Sequence, residues 1–226
     1  MSGVLLRGVK MIEVKNIVKS YNSENVLKGV DLTFYDQEFV SIMGASGSGK
    51  STLLNIIGGF LSPDQGVVLW DGKDVSSLSE EQISERRHTQ LGFVFQSFKL
   101  ISTLTALDNI LLPLSLSENI NEKSLNYVNE LIEELSLTEI INKYPDQLSG
   151  GQCQRVAIVR ALAYKPSTII LDEPTGALDS VMEEKVMSLL KRVNEQLKTT
   201  IIQVTHSDKV ASYANRIIRL KDGQVV

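Results

Sequence analysis

A single cysteine, Cys153, is the whole thiol content of the 226-residue chain, so no intrachain disulfide can form. That suits a reducing compartment and leaves stability to the core. A basic excess is also missing. Twenty-three Lys and Arg stand against 27 Asp and Glu, for a net charge of −4, so no positive field draws the chain to nucleic acid or to an anionic membrane surface. No apolar run is long enough to span a bilayer. The nearest candidate, residues 110–116, is short and carries Pro113 and Ser115. Val4, Leu5 and Leu6 form too short an apolar core for a signal peptide, and residues 1–10 read as an extension before a strand that opens near Met11. Internal repeats, low-complexity tracts and an obvious linker are absent. What remains is ordinary for a folded chain, 42% hydrophobic and 22% charged, at a length that fits one large α/β domain or a domain with an insert.

The apolar pattern changes twice along the chain. Residues 11–43 read as strands and turns, with Val26, Val30, Leu32 and Phe34 at even spacing and a compact buried strand over residues 39–43. Leu53, Leu54, Ile56 and Ile57 then mark a helix that ends at Gly58 and Gly59. Residues 67–70 followed by Asp71-Gly72 signal a hairpin. Residues of about 95–160 look mostly helical, with Leu125, Val128, Leu131, Ile132 and Leu135 on one face. From Ser167 the α/β pattern returns: residues 168–171 and 200–204 are continuous apolar strands flanking a helix over 181–197, which predicts parallel pairing with helices on both faces. Trp70 reads as packing at the hairpin, and His88, among Arg86, Arg87 and Gln90, as a solvent-facing residue.

Gly44-Ala45-Ser46-Gly47-Ser48-Gly49-Lys50-Ser51, followed by Thr52, fits the phosphate-binding P-loop pattern in full, between a buried strand and a helix. The glycines allow backbone angles that turn amide N–H groups inward, at a helix N-terminus whose partial positive charge favours phosphate. Lys50 is placed to reach the β- and γ-phosphates and the Ser51 hydroxyl to ligate Mg²⁺. A Gly/Ser-rich turn opening an ordinary helix is the plainer reading, and the context argues against it.

Asp172 and Glu173 follow the apolar strand at residues 168–171, at the sheet edge where ligands gather. Asp172 suits a supporting role at Mg²⁺, and Glu173 is placed to orient and deprotonate a water attacking the γ-phosphate. A solvated strand-end turn before Pro174 is the competing explanation. A second candidate anion cradle is Ser149-Gly150-Gly151-Gln152, ahead of a helix expected over 153–163. Taken alone, an ordinary Ser cap explains it better.

Leu148-Ser149-Gly150-Gly151-Gln152 resembles the signature motif of the ABC (ATP-binding cassette) ATPases, and its order after the P-loop and before Asp172-Glu173 matches that family. Tyr21 resembles the aromatic that stacks on adenine. Gln96 resembles the glutamine that touches Mg²⁺ and faces the transmembrane partner. Ala177-Leu178-Asp179 resembles the D-loop of that family, ahead of the next helix, and His206 the histidine at the γ-phosphate. The resemblance covers essentially residues 11–226. It implies a P-loop NTPase core, a mostly parallel sheet flanked by helices, with an antiparallel β subdomain (11–94 and 161–226 together) and an inserted helical subdomain at about 95–160.

The same resemblance implies ATP and Mg²⁺ as cofactors and ATP hydrolysis as the activity. It implies a head-to-tail pair in which the P-loop of one copy and Ser149, Gly150 and Gly151 of the other hold each ATP. Lys50, Glu173 and His206 are the expected catalytic residues, and Ser51, Gln96 and Asp172 the expected metal contacts. Force would pass near Gln96 and the helical subdomain to a separate membrane permease, placing the chain at the cytoplasmic face of the membrane. No nucleic-acid partner is expected.

The stretch from Phe95 to Leu100, with Leu104-Thr105-Ala106-Leu107-Asp108-Asn109-Ile110 and Leu112-Pro113-Leu114, resembles the branch serving lipoprotein release, macrolide export and antimicrobial-peptide resistance. Cell-division and amino-acid-import ATPases share parts of it and stay open as alternatives. Cys153 stands where that branch usually has a glutamine, so a thiol sensitive to alkylation is expected beside the ATP interface. A C-terminal regulatory domain like that of some sugar-import ATPases is not expected after Val226.

Overall fold

The computed structural model describes residues 9–22, 24–116 and 120–226. The apolar run Val4-Leu5-Leu6 lies outside the described residues, as does most of the extension read at residues 1–10. Alternating hydrophobicity builds the first layer. Strands β1 (Lys10–Tyr21) and β2 (Glu24–Tyr35) pair antiparallel, with Ile12 opposite Phe34 and Val14 opposite Leu32. The even spacing expected for Val26 breaks at Gly29. Pairing steps from Ile17–Val30 to Val18–Lys28, so Gly29, at φ 80°, occupies a bulge. A one-residue slip exchanges faces. Leu27 therefore enters the core, and Val26 is turned toward what becomes the functional cleft.

After β3 (Phe39–Met43) and helix α1 (Lys50–Ile57), β4 (Gln65–Trp70) joins the other side of β1. The expected hairpin follows: Asp71 and Gly72, both at positive φ, lead into β5 (Lys73–Asp74). Trp70 packs there, with its indole N–H donating to the Ile57 carbonyl at 2.9 Å. Helix α2 (Glu80–Thr89) starts in a Ser79–Gln82 capping box and leads to β6 (Leu91–Val94). His88 on α2 is half-buried rather than solvent-facing, and its Nε2 is buried without a partner.

The middle of the chain is helical: α3 (Ala106–Leu116), with Pro113 inside it, α4 (Glu122–Glu134) and α5 (Gly150–Leu162). Helix α5 begins three residues before the expected start, because Ser149 and Gln152 close a capping box around its first turn. Strand β7 (Thr168–Asp172), helix α6 (Ser180–Leu197), strand β8 (Thr200–Thr205), the short helix α7 (Asp208–Ala211) and the hairpin β9 (Arg216–Lys221) and β10 (Gln224–Val225) complete the described chain.

Two sheets result, in the orders β2-β1-β4-β5 and β10-β9-β3-β8-β7-β6. In the second, β9, β3, β8, β7 and β6 run parallel and β10 pairs antiparallel at the edge. Its central strands β3, β8 and β7 are buried on both faces, as their continuous apolar runs require, while β9 alternates and β10 is exposed at the edge. Phe39, Ile169, Leu171 and Ile201 face one core with α3, α4, α5 and α6, while Val40, Ile42, Ile170 and Ile202 face the other with α1 and the antiparallel sheet. Each such side chain contributes about 1.5–3 kcal/mol on burial. Because β3, β6, β7 and β8 are parallel, their carboxyl ends share one edge, and the P-loop, Gln96, Glu173 and His206 all follow those ends.

Candidate active site

The loop from Gly44 to Gly49 leaves β3 at that edge and feeds directly into α1. It has to be glycine-rich for steric reasons. A Cβ at Gly44 would lie 2.1 Å from the Leu220 carbonyl oxygen, and Gly49, the N-cap at φ 97°, would place one 2.9 Å from the Val26 carbonyl oxygen. The N-cap carries no side-chain hydrogen bond and the first turn holds no acidic residue, so the positive end of α1 faces the loop uncompensated. Lys50 is buried, and its Nζ donates to the Gly44 and Ala45 carbonyls at 2.8 Å each. Its ammonium is thus held over the loop. The Ser48 hydroxyl is buried with no partner.

Opposite the loop stand the two carboxylates. Asp172 ends β7, is 6% exposed, and its Oδ1 has no hydrogen-bond partner. Burial pushes its carboxyl above the ordinary range, a hydrogen bond from the Ser51 side chain pulls it back, and the neighbouring Glu173 charge pushes it up. Glu173 sits at φ 51°, an uncommon conformation for a non-glycine residue and one that concentrates at functional sites. Its backbone N–H donates to Val204 on β8 at 3.1 Å, which ties the turn to the neighbouring strand. Its Oε1 lies 3.0 Å from Nδ1 of His206, whose side chain is 73% exposed at the end of β8.

These groups converge on one cleft of about 930 Å³, near the top of the roughly 300–1,000 Å³ range for ligand pockets. Ser46, Gly47, Gly49, Lys50, Ser51 and Thr52 form its floor. Asp172, Glu173 and His206 form one wall, Gln96 lies on another, and Tyr21, 47% exposed, stands at the rim. Gly44, Ala45 and Ser48 belong to the same loop but do not line the cleft; the first two turn their carbonyls to Lys50.

Ser149, Gly150, Gly151 and Asp179 line a different cleft of about 360 Å³. Ala177 borders both. The Ser149 hydroxyl accepts from the Gln152 N–H at 3.3 Å, and the Gln152 side chain accepts from the Ser149 N–H at 2.8 Å, so Gln152 folds back and does not line the cleft. Asp179 caps α6, accepting from the N–H groups of Val181 and Met182. Cys153 departs from the expected reactive thiol. It is 8% exposed, burial pushes its thiol up, and Sγ donates to the Pro145 carbonyl at 3.7 Å, which leaves little thiolate and little access.

The structure adds lining residues that the sequence did not mark: Val26, Phe98, Gln154, Gly176 and Val204. Val204 could have been found from its place on a buried strand two residues before His206. Val26 depends on the bulge at Gly29, and Phe98 on a turn in which it and Lys99 both adopt positive φ.

A family profile described as "ABC transporter" matches residues 27–176. The bacitracin export ATP-binding protein BceA of Halalkalibacterium halodurans is 43% identical over 219 residues, 95% of this chain and 87% of that one. The macrolide export ATP-binding/permease protein MacB of Wolinella succinogenes is 46% identical over 95% of this chain, which spans 34% of that longer protein. Among solved structures, the dimeric post-hydrolysis state of the ATP-binding cassette MJ0796 of Methanocaldococcus jannaschii, bound to ADP and Pi, superposes with a TM-score of 0.89 at 44% identity, covering 95% of this chain and 96% of that one. A phosphate loop, a capped Ser-Gly-Gly turn and a paired-carboxylate strand end, in that order along the chain, accompany this likeness: the chain belongs to the ABC transporter family, as an ATP-binding and ATP-hydrolysing cassette.

Proposed function

We propose that the cassette closes head to tail with a second copy around Mg-ATP and drives export or extraction by a separate membrane permease. The observation that carries this is the division of the polar groups. One cleft gathers Lys50, Ser51, Gln96, Asp172, Glu173 and His206, while Ser149, Gly150 and Gly151 open on another. A second copy can bring its Ser-Gly-Gly turn to a nucleotide seated in the first cleft, and the dimeric form of MJ0796 supports such a pairing.

The chain's own groups divide the work. Tyr21 stacks on the base. Lys50 exchanges its two loop carbonyls for phosphate oxygens, which better match its charge. Glu173 orients the attacking water and accepts its proton; its carboxylate lies 3.0 Å from His206, which donates toward the γ-phosphate. Among the described residues no cluster of three or more His, Cys, Asp or Glu could cage a cation, which fits a metal shared with phosphate rather than one held by protein alone. Ser51, Gln96 and Asp172 are the residues that would hold it, and the orphaned Asp172 Oδ1 fits that part. Mg²⁺ there would neutralise charge developing on the β- and γ-phosphates.

We assign residues 11–94 and 161–226 to a catalytic core and residues of about 95–160 to a helical unit that passes motion to the permease near Gln96. No helix among the described residues is long and apolar enough to cross a membrane, so the permease supplies the spanning part and holds the cassette at the cytoplasmic face. The names of BceA and MacB favour an export substrate of the peptide or macrolide type. The test is Glu173→Gln. ATP binding persists, phosphate release stops and an ATP-dependent dimer accumulates; phosphate release at the wild-type rate would remove Glu173 from this role.

A further inference from the structure

Helix α5 touches both clefts within one turn. Gln154 lines the nucleotide cleft, and the next residue, Arg155, lines the cleft opened by Ser149. Gln154 is 2% exposed, and its Nε2 donates to nothing. A buried amide donor without an acceptor is costly, and native proteins rarely retain one without a reason. Further along the helix, Arg160 donates from both terminal nitrogens, at 2.7 Å each, to the carbonyls of Lys99 and Phe98. Those two residues follow Gln96 and hold strained positive φ angles, so α5 grips the Gln96 segment at the same time as it lines the cleft with Gln154.

We propose that Gln154 is a positioning residue. Its free amide donor takes an oxygen acceptor that arrives with the nucleotide, and this sets the angle at which α5 presents its own Ser149 turn to the second copy. Filling a chain's own cleft therefore prepares that chain's contribution to its partner's site. The inference rests on the head-to-tail reading above. Helical geometry supports it: α5 is a continuous rod from its Ser149 cap to Leu162, so a pull at Gln154 reaches Ser149 through little more than one turn of hydrogen bonds.

The experiment compares Glu173→Gln with Glu173→Gln/Gln154→Met and Glu173→Gln/Gln154→Asn, titrating each full chain with Mg-ATP. Light scattering reports dimer, a fluorescent ATP analogue reports binding to dilute monomer, and melting reports stability. Methionine matches the volume but lacks the donor; asparagine keeps the donor but leaves a gap. We expect the methionine variant to melt no lower and to lose only a few-fold in analogue binding, while the ATP concentration at half-dimer rises by clearly more, about tenfold, within the usual range of coupling between sites. Asparagine should lie closer to the parent than methionine. An unchanged dimer midpoint for methionine overturns the proposal. So does an asparagine variant worse than methionine with a matching loss of melting temperature, because a packing role gives that order. If the Glu173→Gln parent does not dimerise with ATP at all, the head-to-tail reading fails and takes this inference with it.

Discussion

The nucleotide cleft and the cleft at Ser149 are built on opposite principles. The first is under-satisfied: Asp172 Oδ1 and Gln154 Nε2 are buried without partners, and Lys50 rests on two carbonyls. The second is satisfied within itself. Ser149 and Gln152 cap α5, Asp179 caps α6, and Arg155 donates to the carbonyls of Leu135, Ser136 and Gly151. Buried unsatisfied groups are what a ligand site looks like before its ligand, whereas a capped turn that exposes Ser149 and Gly150 is a surface that can be presented to something else. In the proposed head-to-tail pair, one chain would hold a nearly complete site and a finished piece of another.

Breaking each side in turn sharpens the contrast. Glu173→Gln strikes the chemistry of the first cleft and should lower turnover by about 10²–10⁴, the usual worth of a general base, with nucleotide affinity kept. Ser149→Ala strikes the second cleft alone. Turnover should fall by about 10², as when one preorganised donor to a transition state is removed. Binding to dilute monomer should not change, and a comparable loss of monomer affinity would put Ser149 in its own chain's site. Loss of the cap should also lower stability by about 1 kcal/mol. Lys50→Ala returns to the first cleft and should weaken ATP binding by about 10–100-fold, the worth of a hydrogen bond to a charged group, as titration of monomer will read.

The smallest effect is on stability and has the opposite sign. Burial raises the native Asp172 carboxyl above its ordinary 3.8, so the folded chain holds this proton to higher pH than the unfolded chain does. Stability therefore falls as pH rises through the window between those two values, and the whole penalty is present above it. Asp172→Asn should raise the melting temperature by a few degrees at pH 7 and give no gain at pH 3, while turnover drops. A lower melting temperature at neutral pH would show that the Ser51 hydrogen bond outweighs burial.

Much of this was legible from sequence where the signal was local. The P-loop is contiguous, and its strand and helix flank it. The apolar runs at β7 and β8 announce strands buried on both faces, and so the edge where Glu173 and His206 lie. Ser149 reads as a cap, but the reciprocal bond to the Gln152 side chain that completes the box leaves no mark on the apolar face, so α5 starts earlier than that face alone suggests. Non-local features were not legible. The bulge at Gly29 exchanges Val26 and Leu27 between cleft and core, and only pairing with Ile17 and Val18 reveals it. Gln154 sits in the polar run Gln152-Cys153-Gln154-Arg155, where composition cannot say which side chain is buried. The thiol of Cys153 went the other way: placed beside a reactive surface, it is covered by its own fold.

The division between the two clefts is tested most directly by mixing two dead chains, Lys50→Ala and Ser149→Ala, each nearly inactive alone. A head-to-tail dimer of the two carries one intact pair, the P-loop of the second with the Ser149 turn of the first. Phosphate release by the mixture should therefore rise well above the sum of its parts. A mixture no more active than the separate variants would contradict the assignment of P-loop and Ser149 turn to different copies of the chain.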